Sequence, residues 1–314
     1  MKEIKLDVSP HIYSSQDTRR MMKGVIVALV PNIFASLYFF RWKAFFVMLV
    51  AVVSCALTEY TIQRIRKKNI ELSDHSFLVT ALLYAMVLPP ALPLWMVFLG
   101  GVFAIIFGKE IFGGLGCNIF NPALMARAFL MAAFPVALTT WAAPITLDAV
   151  TSATPLGLAK FEHVITPYTP LFIGNVAGSI GETSALALLL GFVYLLYKKI
   201  IDYRVPLAYV GTVVVFASVC YIINPVVYAP PLFHVLAGGL LIGAIFMATD
   251  PVTSPVTKKG RWVFGAGCGV LTMVIRNWGG LPEGVMYAIL LMNAVTPLIN
   301  RMTRPRRFGA KHGT

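Results

Sequence analysis

Charge is what this sequence has least of. Asp, Glu, Lys and Arg make up only 12% of its 314 residues, against 58% hydrophobic, whereas soluble domains carry about 25% charged residues. A chain this apolar cannot cover its own surface in water, so a soluble globular enzyme is excluded. Cysteine is also scarce. Cys55, Cys117, Cys220 and Cys268 lie far apart and form no CxxC pair, which argues against a disulfide framework or a thiolate metal site; three sit in apolar blocks and read as small buried hydrophobes. The five histidines show no ligand spacing. Acidic residues number 13 against 26 basic ones, for a net charge of +13. That balance would suit nucleic acid, but the basic residues cluster in short segments between apolar blocks, so no nucleic-acid partner is expected. Nor is a cleavable signal peptide, because about twenty mostly polar residues precede the first apolar block.

What is abundant is uninterrupted apolar sequence. Residues 24–40, 44–58, 77–108, 183–197, 205–249 and 284–300 hold no Asp, Glu, Lys or Arg. A membrane helix needs about 20 apolar residues at 1.5 Å rise each, and in hydrocarbon every backbone amide must be paired internally, which favours helices over loops. The expectation is an all-α polytopic membrane protein with about ten spans, near 24–40, 44–63, 77–91, 94–112, 120–139, 181–197, 205–223, 231–249, 262–276 and 284–300. Residues 1–23 then form an N-terminal segment, 24–300 a single transmembrane domain and 301–314 a basic tail.

Basic residues set the orientation, because cytoplasmic loops are enriched in Lys and Arg. Twenty of the 26 fall on one side of this threading: Lys2, Lys5, Arg19, Arg20 and Lys23; Arg64, Arg66, Lys67 and Lys68; Lys198, Lys199 and Arg204; Lys258, Lys259 and Arg261; Arg301, Arg304, Arg306, Arg307 and Lys311. The other side holds Arg41, Lys43, Lys160 and Arg276, while Lys109 and Arg127 flank a 113–119 turn on the basic side. Both termini are expected in the cytoplasm. The one long loop, 140–180, is then extracytoplasmic. Structureless loops beyond about 15 residues are uncommon unless functional, so it is the first place to seek a site.

A weak repeat runs through the chain. Residues 98–114 (FLGGVFAIIFGKEIFGG) and 264–280 (FGAGCGVLTMVIRNWGG) match at Phe98/Phe264, Gly101/Gly267, Gly113/Gly279 and Gly114/Gly280. Prolines interrupt the segments nearby: Pro89, Pro90 and Pro93 in one half, Pro251 and Pro255 in the other. Five spans separate the copies, an odd number, so the second copy is inverted: two five-helix halves, about 24–139 and 181–300, with broken helices and a binding site between them.

Four short segments carry candidate chemistry. Asp148–Leu156 reads DAVTSATPL, a small-residue turn in the outer loop. Gly113, Gly114 and Gly116 let the backbone fold tightly against a flat ligand; Asn118 and Asn121 follow just before a span, where they either cap it or offer amides to a heterocycle edge. Glu182, in GSIGETS, either caps a helix or faces a cavity, and Asp250, in ATDPVT, is either a turn residue or an ion or proton site. Arg276 either holds a phosphate or anchors at the interface.

Together these segments resemble the family of the D subunit of the bacterial Rnf ion-translocating ferredoxin:NAD oxidoreductase and the B subunit of the sodium-translocating NADH:quinone reductase. The likeness spans nearly the whole chain, from Ser9-Pro10-His11 through the GGxGxNxFNPA turn, the 148–156 loop, GSIGETSALALLLG at 178–191 and ATDPVTSP at 248–255 to IRNWGGLPEGVMYAILLMN at 275–293. It implies FMN joined through its phosphate to Thr154, the threonine closing a [Ser/Thr]-Gly-Ala-Thr motif six residues after an aspartate, here Asp148. Ser152 stands where that motif has glycine, followed by Ala153. The resemblance further implies a non-covalent flavin, riboflavin, near the inner side, for which Asn118 and Asn121 are the candidates. It implies a subunit that is not catalytic alone and works within a redox-driven translocase of Na+ or H+, with the A, B, C, E and G subunits as partners, the FMN-bearing G subunit above all, in the bacterial inner membrane. Physics without the resemblance leaves another class open, an inverted-repeat channel or secondary transporter for a small solute.

Overall fold

The computed structural model describes residues 18–67, 74–144, 153–182 and 184–305. Among them every regular element is helical, as the apolar blocks require. Three helices are long and apolar enough to cross a membrane: Thr18–Ile65, Arg204–Ile223 and Val285–Met302.

The first of these, α1 (Thr18–Ile65), is 48 residues long, far beyond what about 30 Å of hydrocarbon needs. It divides at Arg41, whose φ of 48° and ψ of −132° leave the helical region. The next helices, α2 (Ser76–Met86), α3 (Leu94–Ile105) and α4 (Pro122–Ala133), are shorter than the apolar blocks that hold them. Helix α2 stops before Pro89 and Pro90, which lack the N–H a helix would use. Helix α3 continues as a π-helical turn over Ile106–Glu110. Pro135 ends α4 and opens the short α5 (Pro135–Thr139).

The 140–180 loop is not structureless. It carries α6 (Pro155–Gly157), a π turn at Leu158–Glu162 and α7 (Tyr168–Ile173). After it come α8 (Ala185–Tyr197) and α9 (Arg204–Ile223). The block expected as one span at 231–249 is broken into α10 (Pro231–Leu236) and α11 (Leu240–Ile242), which runs on as a π turn to Met247. Gly238, at φ 71°, makes the break. Helices α12 (Lys258–Trp278) and α13 (Val285–Met302) close the chain.

Small residues let the helices approach. A Cβ on Gly191 of α8 would stand 2.4 Å from the Ala28 carbonyl oxygen of α1, and one on Gly265 of α12 would stand 2.7 Å from that of Val205 in α9. This is the close backbone packing that apolar solvent favours, since lipid gives helices no hydrophobic reason to associate.

The breaks are held by polar side chains inside the helices. Asn32 of α1 donates to the Gly181 carbonyl at 3.1 Å, and Ser36 to that of Ile180 at 2.8 Å. The Ile180 and Gly181 amides donate in turn to the carbonyls of Leu88 and Met86. Non-helical backbone survives at this depth because protein supplies its partners. The segment before α8 is thereby fixed, and with it Glu182.

Candidate functional site

Two cavities lie at the two ends of α4. Asn121, its N-cap, lines one, and Arg127 and Met131 line the other. The six residues from Asn121 to Arg127 rise about 9 Å along the helix, so α4 is a short wall between them.

The larger cavity, counted with its solvent-open mouth, spans about 1440 Å³. Thr154 and Ala153 lie on its wall, with the rings of Trp141, Phe161 and Tyr287 and the thioethers of Met131 and Met286. Thr154 caps α6: its Oγ1 accepts from the Gly157 amide at 3.1 Å. An ester at that oxygen would keep the lone pair the cap uses. Lys160 pins this segment to the end of α12, donating to the carbonyls of Ile275, Gly279 and Leu281. The floor is charged. Arg127 meets Glu283 at 2.6 Å and Glu182 at 3.3 Å, and Glu283 also accepts from the Gly239 amide at 3.0 Å in the break between α10 and α11. A Cβ on Gly239 would stand 2.5 Å from one carboxylate and 2.8 Å from the other, so any larger residue would push both acids aside.

The smaller cavity, about 800 Å³, brings together Asn118, Asn121, Ser76, Thr80, Lys109 and Asp250. Of the two roles open to Asn121, it takes the cap: its Oδ1 accepts from the Ala123 and Leu124 amides, and its Nδ2 donates to the Met247 carbonyl at 3.4 Å. Asn118 commits one amide hydrogen to Phe120. Asp250 closes a turn, accepting from the Val252 amide and the Thr253 hydroxyl. Beside them Lys109 pairs with Glu59 at 2.7 Å and donates to Ser76 at 2.6 Å.

The structure thus brings Thr154, Ala153 and Glu182 to one cavity and Asn118, Asn121 and Asp250 to the other. Arg276 lines neither. It is buried, and it donates to the carbonyls of His234 and Ala237 where α10 ends. Asp148 and Ser152 lie outside the described residues. Lys109 and Arg127, which flank the 113–119 turn, are both buried and paired. Glu283 and Glu59, the acids that pair them, escape the sequence reading, although an acid beside an apolar block is the available signal.

The NQR2, RnfD, RnfE family profile matches residues 5–309. The chain belongs to that family. Among its relatives, it is 46% identical, over 98% of its length and 97% of the relative's, to the D subunit of the Na(+)-translocating ferredoxin:NAD(+) oxidoreductase complex of Acetobacterium woodii. It is 43% identical, over 96% and 95%, to the D subunit of the proton-translocating ferredoxin:NAD(+) oxidoreductase complex of Clostridium ljungdahlii. The D subunit of the ion-translocating oxidoreductase complex of Escherichia coli is a further relative, at 37% over 97% and 98%.

Proposed function

We propose that this chain is the D subunit of an ion-translocating ferredoxin:NAD oxidoreductase complex, and that it carries electrons through the membrane on FMN esterified to Thr154. The observation that carries the reading is the place of Thr154: a hydroxyl at the wall of a cavity large enough for a tricyclic ring and faced by three aromatic side chains. Relatives named as D subunits align over nearly the whole chain. Aromatic faces suit stacking against a flat heterocycle, and the thioethers adapt to its edges. A flavin bound there supplies one- and two-electron redox chemistry; the protein supplies orientation and electrostatics.

A second flavin, riboflavin without a bond, is proposed for the smaller cavity, where Asn118 offers a hydrogen-bonding edge and Leu115 of the Gly113–Gly116 turn lines the wall. Two centres are needed because about 30 Å of hydrocarbon exceeds a single electron hop. The wall of α4 brings the two cavities within reach of each other.

The proposed frame is ten spans in two inverted halves, 24–139 and 181–300, with both termini cytoplasmic in the bacterial inner membrane. Two contacts support it: α8 packs on the first span, Gly191 against Ala28, and α4 packs on α13, so equivalent spans of the two halves meet. The FMN-bearing G subunit is the proposed electron donor from the outer side, within an assembly that includes the A, B, C and E subunits. Relatives named for Na+ and for protons are almost equally similar, so similarity does not choose the ion.

The test is a denaturing gel of the purified chain under ultraviolet light. Flavin fluorescence should stay with the wild-type band and with Thr154→Ser, and vanish in Thr154→Ala. A band that keeps its fluorescence in Thr154→Ala overturns the attachment. A colourless wild-type protein that conducts solute in liposomes would favour the channel reading instead.

A further inference from the structure

We propose that Glu182 and Glu283 share one proton, as a carboxyl–carboxylate pair clamped by Arg127, and that this pair takes up a second proton when negative charge arrives in the Thr154 cavity. The proposal rests on the reading of that cavity as a redox site only in its second half; the shared proton follows from the geometry alone.

Three contacts carry it. Arg127 reaches both acids, at 2.6 Å and 3.3 Å, from a side chain only 5% exposed. The Gly239 amide takes Glu283 Oε1 at 3.0 Å. A Cβ at Gly239 would stand 2.5 Å from Glu283 Oε1 and 2.8 Å from Glu182 Oε1, so the two carboxyls flank one point. Two carboxylates flanking one point repel, and a hydrogen on one of them turns that repulsion into attraction, because an ionised carboxylate is an acceptor only. Two like charges sharing a site ionise one at a time, and the pair titrates as a unit.

The surrounding charges fit this count. Arg127 faces the pair from α4. Arg276 approaches from α12 behind Gly238, with its guanidinium spent on the His234 and Ala237 carbonyls. Glu162 and Tyr287 face the same cavity from the outer loop and α13. Arg127 against one ionised carboxyl balances the floor, and Arg276, which does not line the cavity, stands behind it with its donors committed. A further electron in the cavity, delivered by a reduced one-electron carrier of the complex, would be uncompensated in a low dielectric, where such charge is costly. Uptake of one proton answers it: one O–H bond forms on the remaining carboxylate and one breaks in a hydronium ion of the open cavity. When the electron leaves, the proton is released. Glu182 and Glu283 line the cavity, so water reaches them.

Infrared difference spectroscopy of the purified complex tests this. The oxidised wild type should show a protonated-carboxyl C=O band that moves in D2O. Either Glu182→Gln or Glu283→Gln should abolish it, because the proton belongs to both. On reduction the wild type should gain a second such band and take up about one more proton per electron than the double variant Glu182→Gln with Glu283→Gln, which has no carboxylate there to protonate, read with a pH-indicator dye. No band in the oxidised wild type, or a band that survives one of the two variants, overturns the shared proton. Uptake that depends on Na+ rather than pH overturns the proton in favour of a cation. If either variant fails to assemble, the wild-type spectrum in water and D2O still decides. Thr154→Ala separates the two readings: its oxidised-state band should persist without covalent flavin, while the reduction-linked band is lost.

Discussion

Arg127 and Glu283 stand 156 residues apart in sequence and 2.6 Å apart in space. The pair ties the middle of α4 to the turn before α13, and with Glu182 it forms the floor on which the Thr154 cavity rests. Removing one partner of a buried pair strands the other charge, at a cost of about 3–5 kcal/mol. Arg127→Ala should therefore lower the thermal unfolding midpoint of the purified protein sharply, and Arg127→Lys should lower it less, because an ammonium keeps the charge but not the fork that serves two acids. Equal melting of Arg127→Ala and wild type in detergent would show that the pair does not hold these helices together.

How much of this was legible in the sequence depends on whether the signal was local. Apolar blocks are local, and they point to the helical class and the break near Arg41, whereas α2 ends at Met86, short of the expected 77–91 span. Glycine signals are only partly readable: Gly238 breaks the expected 231–249 span because it adopts a positive φ, and nothing in a run of apolar residues announces that. Thr154, Asn118 and Asp250 stand out through motif resemblance, and the structure sorts them into two cavities. The pairing of Arg127 and Lys109 is not legible, because a charge beside a span looks the same whether it faces lipid headgroups or a distant acid. Their partners lie 156 and 50 residues away, and pairing at that range leaves no mark on one sequence.

Lys109 and Glu59 form a second buried pair, 4% and 1% exposed at the side chain, beside the cavity that holds Asn118. Lys109→Met strands the Glu59 carboxylate and should cost about 3–5 kcal/mol, whereas the double change Lys109→Met with Glu59→Leu removes both charges and should recover most of that stability. A double-mutant cycle by thermal unfolding measures the coupling. Additive losses would mean that the two groups act separately.

Asp202 gives a pH dependence outside the membrane. Burial raises its carboxyl, but hydrogen bonds from the Arg204 amide and the guanidiniums of Arg261 and Arg204 outweigh that and hold it below the usual value of 3.8. A carboxylate whose pKa is depressed on folding contributes stability that is fully present above its unfolded value and is lost as pH falls through its folded value. The contribution should be flat at neutral pH and fade only below pH 3.8. Comparing unfolding midpoints of wild type and Asp202→Asn across that range checks it: the gap between them should close as pH falls. A gap independent of pH would assign the loss to something other than this charge.

The packing of α12 on α9 offers a prediction with an internal control. A methyl on Gly269 would stand 2.9 Å from the Tyr209 carbonyl oxygen and 2.7 Å from Thr212 Cβ, whereas one on Gly211 would meet nothing within 4 Å. Both glycines lie inside helices, so alanine relieves the same backbone entropy at each, about 0.8–1.0 kcal/mol. At Gly269 that gain is opposed by overpacking against backbone, which cannot swing away as a side chain can and costs typically about 1–3 kcal/mol. Gly211→Ala should unfold at or above the wild-type temperature and Gly269→Ala below it. The same order in both variants would mean that α9 yields to the added methyl, and that close approach of these two helices is not what holds α12 and the Arg276 end of it in place.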